Sequence, residues 1–203
     1  MEAITETING ILSKRNDNQK SLTCSQDLER KTQLVKAKYG DLDNCLQIFN
    51  PDNQATLAKR HNESWITADV PTLALLNQTY GKTASVQWLV VQIYNLSEFC
   101  GCKDKLSTAQ IHELSRIIDT IYYHLKLTEL MMFFFNFKMG KYGKFYGAVD
   151  PMVITCALRE FMDERNSRID QVENERRRKQ EEKEMKNAVS YEEYLKMKEK
   201  ANK

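Results

Sequence analysis

The sequence predicts an all-α protein: a compact multi-helix domain with a long, charged C-terminal helix projecting from it. Three observations carry this. Only 3 Pro and 7 Gly occur in 203 residues, which leaves room for long helices and few tight turns. Apolar residues recur three and four apart in several stretches, and alternating runs are few. Helix start and stop signals fall between those stretches. Charged residues make up 29% of the chain and hydrophobic ones 41%. Each departs slightly from the usual globular share, and a strongly charged C-terminal segment accounts for the difference. The length suits one domain with a real core plus a tail. The expected organisation is a polar, flexible N-terminus over 1–20, a helical globular domain over 21–172, and a charged helical arm over 173–203 with a terminal amphipathic segment.

The first helix is expected to start at Ser25, with Leu28, Leu34 and Val35 on one side. Gly40 after Tyr39 ends it, because glycine accepts the left-handed conformation past a helix end. A short helix near Leu42–Phe49 stops before Pro51, and another covers Asn53–His61. Asp69-Val70-Pro71 reads as the next start, a capping carboxylate and then a proline whose missing N–H costs nothing there. Leu73, Leu76 and Tyr80 follow at helical spacing, and Gly81 closes the element. Ser85 is read as the cap of a helix that carries Val86, Leu89, Val90, Ile93, Tyr94 and Leu96 and stops at Gly101.

Ser107 and Gln110 form a capping box, each side chain reaching the other's backbone amide. Ile111, Leu114, Ile117, Ile118, Ile121 and Leu125 then make the clearest amphipathic helix of the chain. Thr128 is expected to open the following helix, which runs to Met139 and ends at Gly140, with Glu129 favouring its first turn. Leu130–Phe135 is apolar on every face, and such a helix is central to a core or lies in an interface; the core is the expectation. Asp150-Pro151 repeats the Asp-then-Pro start, with Ile154, Leu158, Phe161, Met162 and Ile169 behind it. That stripe fades after Val172. From Glu173 to Lys186, eleven of fourteen residues are charged, with mixed signs, so this stretch can be helical through pairs four apart, such as Glu175 with Lys179. Ser190 and Glu193 form a second capping box. Tyr191, Tyr194 and Leu195 beside it read either as a partner-docking segment or as a frayed tail helix.

Several function classes are set aside by what the chain carries. A net charge of +2, from 30 basic and 28 acidic residues, is too balanced to imply nucleic acid from bulk charge. Arg176-Arg177-Arg178-Lys179 is flanked by glutamates that cancel much of its field. The longest apolar stretch, Leu130–Phe137, falls short of the ~20 residues of a membrane span. Met1–Leu12 has no basic start followed by an apolar run. A cytoplasmic chain with reduced thiols is therefore expected, and no membrane contact. Cys100-Gly101-Cys102 is too closely spaced for a zinc pair. No Gly-x-Ser-x-Gly, His-Glu-x-x-His, Walker or kinase pattern is present. The expectation is a protein without catalytic residues, metal or cofactor.

The segment 138–147 stands apart. It holds Lys138, Lys141 and Lys144 with Tyr142, Phe145 and Tyr146, three glycines and no acid. Glycines let backbone approach phosphate, lysines neutralise it, and aromatics stack on bases. The same composition suits a plain connection between two helices, with glycines supplying positive φ and rings folded onto the core. Both readings stand on the sequence. Lys138, Lys141, Tyr142, Lys144, Phe145 and Tyr146 are the candidate macromolecule-binding residues, and Tyr191, Tyr194 and Leu195 the candidate partner-docking ones.

Glu129-Leu130, Phe137-Lys138, Gly140, Tyr142-Gly143, Phe145-Tyr146-Gly147, Asp150-Pro151 and Arg165 follow a pattern that resembles an uncharacterised, domain-of-unknown-function family from mobile elements and phage-like regions of Bacteroidales genomes. The small helical body with its charged tail also resembles, in style, phage replicative-helicase loaders. These resemblances imply a helical adaptor in replication of a mobile genetic element, with a protein partner such as a replicative helicase, and DNA as a further ligand. The alternative is a self-associating structural or regulatory protein with no nucleic-acid role.

Overall fold

Helix α8 (Leu127–Lys138) is the element the others gather around. Its sequence offers no polar face, so every side of it has to be covered. Leu127 through Phe134 are all buried, and Leu130, Phe133 and Phe134 are wholly enclosed. Burying one such side chain stabilises the fold by ~1.5–3 kcal/mol relative to leaving it in water. The expected core position of this helix is what is found.

The computed structural model describes residues 25–59 and 64–187. In chain order these form α1 (25–39), α2 (Leu42–Ile48), a 3₁₀ turn (Pro51–Asn53), α3 (Gln54–Lys59), α4 (Ser64–Thr67), α5 (Leu73–Tyr80), α6 (Ala84–Phe99), α7 (Thr108–Ile121), α8 and α9 (Pro151–Asn187). The protein is all-α, with a long charged C-terminal helix. Two compact units are distinguished, one ending at Ala157 and the other starting at Leu158. The polar N-terminus over 1–20, His61, and the terminal segment with Ser190, Tyr191, Tyr194 and Leu195 lie outside the described residues.

In the first unit α8 packs against α3, α4 and α6, and α6 packs against α5 and α7. The N-terminal end of α8 is held by long-range bonds. Lys126 Nζ donates to the carbonyls of Ile66 (2.8 Å) and Ala68 (2.9 Å), and Thr128 Oγ1 donates to Trp65 O at 2.8 Å. Residues 71–74 lie alongside 123–127. Leu73 N donates to Leu125 O (3.0 Å), Ala74 N to Tyr123 O (2.9 Å) and Leu127 N to Pro71 O (3.1 Å). Further on, the loop after α6 is pinned to the loop after α8 through Asp104 and Ala148, with Val149 N donating to Asp104 O at 2.9 Å.

Several boundaries differ from expectation, each for a visible reason. α5 starts at Leu73 and is capped by Thr72, whose Oγ1 accepts from Leu75 N. The Asp69-Val70-Pro71 stretch is not a helix start, because its neighbours are drawn into the pairing with 123–127. Ser85 does not cap α6, which begins one residue earlier at Ala84. It is buried instead, bonded through its amide and hydroxyl to Asn77 and through its hydroxyl to Asp119. Thr128 lies inside the first turn of α8, which starts at Leu127. Glu129 is 1% exposed, and its Oε2 accepts from Lys126 N at 2.8 Å. On α1 only Val35 and Tyr39 are buried, and Leu34 faces solvent. On α7 the buried apolar set is Ile111, Leu114 and Ile118, while Ile117 and Ile121 are exposed. The Ser107 capping box, the Asp150 cap (Met152 N to Oδ1, 2.7 Å) and the glycines after α1, α5, α6 and α8 are as expected.

The second unit carries Leu158, Phe161 and Val172 as buried residues, and from Glu173 to Met185 every side chain is exposed. That stretch is helical without an apolar face. Arg178 Nε and Glu182 Oε1, one turn apart, are 3.8 Å from each other, and Gln180 Nε2 donates to Glu184 Oε1 at 2.7 Å. Pairs of this kind contribute ~0.2–0.5 kcal/mol each.

Candidate functional site

The turn after α8 is built by the end of the helix itself. Lys141 N donates to Asn136 O (3.1 Å) and Gly140 N to Phe137 O (2.9 Å). This is a Schellman ending, which needs a left-handed residue just past the cap. Gly140 supplies it with φ +78°, and Gly143 follows with φ +99°. A Cβ at either would meet nothing within 4 Å, so these glycines are required by backbone conformation and not by close approach of another chain.

The rings of the turn fold back unequally. Phe133 and Phe137, one turn apart on α8, form the platform. Tyr142 lies 5.7 Å from Phe133 and 6.1 Å from Phe137, and Phe145 stacks on Phe137 at 5.3 Å with an interplanar angle of 23°. Both are half-buried. Tyr146 is 91% exposed.

The three lysines also part company. Lys138 turns inward. Its Nζ donates to Gln54 Oε1 at 2.8 Å and to Asn95 Oδ1, and sits over the Phe99 ring. Burial pushes its pKa below the usual lysine value. The chain of bonds continues: Gln54 Nε2 donates to Gln92 Oε1 (2.6 Å), and Gln92 Nε2 donates to Phe49 O (2.8 Å), which also accepts from Trp88 Nε1. Lys141 and Lys144 are exposed, with Lys141 Nζ 5.7 Å from the Tyr142 ring centroid. Of the six residues proposed in this segment, the fold brings Lys141, Lys144 and Tyr146 to the surface and half-buries Tyr142, Phe145 and Lys138, the last with its ammonium bonded to Gln54 and Asn95.

Two residues that sequence reasoning passed over complete the surface. Phe99, at the end of α6, is 61% exposed, and Met139, at the end of α8, is 70% exposed. They share the walls of two adjoining grooves. One, of about 350 Å³, is also lined by Lys138, Lys144, Phe137 and Phe145. The other, of about 590 Å³, contains Asp52, Gln54, Asn95, Glu98 and Lys138. Glu98 is paired with Lys105. No periodicity marked Phe99 and Met139 as surface residues. The available signal was that each falls at the end of an apolar helix, Phe99 two residues before Gly101 and Met139 directly before Gly140.

Burial raises Cys45 to about 11, and burial with the nearby Cys102 raises Cys100 to about 11. Among the described residues no three His, Cys, Asp or Glu side chains gather where they could hold an ion. No described helix is long and apolar enough to cross a membrane.

Fold and surface together define an all-α domain in which aromatic and lysine side chains emerge at the joint between two helices. Residues 105–203, a little under half of the chain, match the model of a family of unknown function (DUF6633). That region includes both the 138–147 turn and the charged arm. Comparison with curated proteins and with solved structures finds no match.

Proposed function

We propose that this chain is a non-enzymatic helical adaptor that offers the apolar surface around Phe99 and Met139, with Tyr146 in the turn that follows, to a protein partner. One observation carries the reading: these three large side chains are 61%, 70% and 91% exposed, and Phe99 and Met139 flank the same grooves. Covering apolar surface yields ~25 cal/mol per Å², so a patch of this kind favours association. The polar clusters deeper in the fold have structural work. Asn77, Ser85 and Asp119 tie α5, α6 and α7 together, and Gln54, Gln92 and Lys138 tie α3, α6 and α8.

The setting we propose is DNA replication of a mobile genetic element, with a replicative helicase or a similar machine as partner. It rests on the resemblances in the 129–165 segment and in the overall plan of helical body and charged tail. Direct contact with DNA is a second reading, favoured by Tyr146 beside exposed Lys141 and Lys144. Neutralising two phosphates gives a salt slope of only about −1.8, and the protein-partner reading asks less of so few charges.

A photo-reactive amino acid placed at position 146 tests the proposal in cells. Adducts to one protein are expected there, absent when the same group replaces Arg116 on the exposed side of α7, and lost on Phe99→Ala. No adduct, or the same adducts at both positions, overturns it. A labelled duplex whose affinity falls with salt and with Lys141→Glu plus Lys144→Glu would favour DNA instead.

A further inference from the structure

Building on the protein-adaptor reading, we infer that the groove beside Lys144 receives a carboxylate of the partner, and that the partner segment carries an apolar side chain next to that acid. The groove has mixed walls. Phe99, Phe137, Met139 and Phe145 supply apolar surface, Lys138 and Lys144 supply cations, and no acid lines it. The two cations are not equivalent. Lys138 already gives protons to Gln54 and Asn95. Lys144 is exposed and makes no hydrogen bond or ion pair among the described residues. A carboxylate on Lys144 with an aromatic or branched side chain over Phe99 and Met139 satisfies both kinds of wall at once.

A nucleic-acid strand fits less well, for two reasons. It carries a charge at every nucleotide, and the adjoining groove holds Asp52, with Glu98 already paired to Lys105, so neighbouring phosphates run toward Asp52. A single acid need not. Base stacking also needs free ring faces, and Phe145 has one face already on Phe137. The charge pattern selects an acidic, apolar peptide.

The test pans a display library of random short peptides against the full chain. The strongest peptide is then synthesised with a fluorescent label, alongside versions with each acid changed to its amide. Enriched peptides are expected to place Asp or Glu beside an aromatic or aliphatic residue. Lys144→Glu should weaken binding by about fivefold or more, the upper end for an exposed ion pair, and Lys144→Arg should retain it. Phe99→Ala should weaken acidic and amide peptides alike. Unchanged thermal melting of each variant confirms that the fold is intact. Absence of enrichment, enriched peptides without acids, or indifference to Lys144→Glu overturns the inference. If the position-146 adduct persists in that case, the adaptor reading survives without it. Tight, steeply salt-dependent binding of an oligothymidine overturns it in favour of nucleic acid. A solution mass above one chain that drops on Lys144→Glu overturns it in favour of a second copy as occupant.

Discussion

Replacing Lys138 with methionine separates an anchoring lysine from a ligand-binding one. The side chain keeps its unbranched stem as far as the ε position and loses its ammonium. Gln54, 2% exposed, then has an Oε1 with no donor from Lys138, whereas Asn95 is half-exposed and can take water. Leaving one buried acceptor unsatisfied costs ~1–3 kcal/mol. Part of this is offset, because burial already disfavours the ammonium, as the lowered pKa of Lys138 records. The net expectation is a loss of ~1–2 kcal/mol. For a chain of this size each kcal/mol moves Tm by ~2–4 °C, so a fall of about 2–8 °C should appear in thermal unfolding followed by far-UV circular dichroism. Lys144→Met is the control and should stay within ~0.5 kcal/mol of wild type. A Lys138→Met protein that melts with wild type, or a control that falls as far, would refute the inward role of Lys138.

Three further outcomes are expected. The Cys45 thiol, 0% exposed and raised from 9.0 to about 11, keeps its proton in the fold where the unfolded chain releases it. Its contribution is fully present below pH 9 and is lost as pH climbs to about 11, by ~2–3 kcal/mol. Thermal melts across that range should show a smaller decline for Cys45→Ala, and equal declines would contradict the assignment. Phe134→Ala opens a cavity beside a wholly enclosed ring and should cost ~3–5 kcal/mol in urea unfolding; a loss under ~1 kcal/mol would mean the core collapses around it. Ser107→Ala removes the bond from Gln110 N to the Ser107 hydroxyl and leaves the other half of the α7 capping box, Ser107 N to Gln110 Oε1, in place; it should cost ~0.5–2 kcal/mol, readable in the same assay.

What could be read from the sequence was what is decided locally. The α7 cap, the glycine stops and the all-apolar α8 depend on residues within a turn or two of one another. The misplaced start of α5 and the buried Ser85 depend on partners far along the chain, the 123–127 segment and Asp119. Lys138 is the sharpest case. Its acceptors Gln54 and Asn95 are 84 and 43 residues away, so its neighbours Lys141 and Lys144 made it look like one of three equivalent surface charges. For Phe99 and Met139 the following glycines marked a helix end but not exposure. Helical period places a residue on a face, but only the packed neighbours decide whether the last turn of that face is covered.

The hydrogen-bonded chain from Lys138 through Gln54 and Gln92 to the Phe49 carbonyl has a polarity. Each amide gives at one end and receives at the other, so all of them must point the same way. The far terminus is a carbonyl, which can only receive. The near terminus must therefore begin with a group that gives, and position 138 is where that requirement is met. A glutamate there would force both glutamines to flip and leave two lone-pair oxygens facing each other at Phe49. One side chain at the mouth of a surface groove thus fixes the orientation of two amides inside the protein.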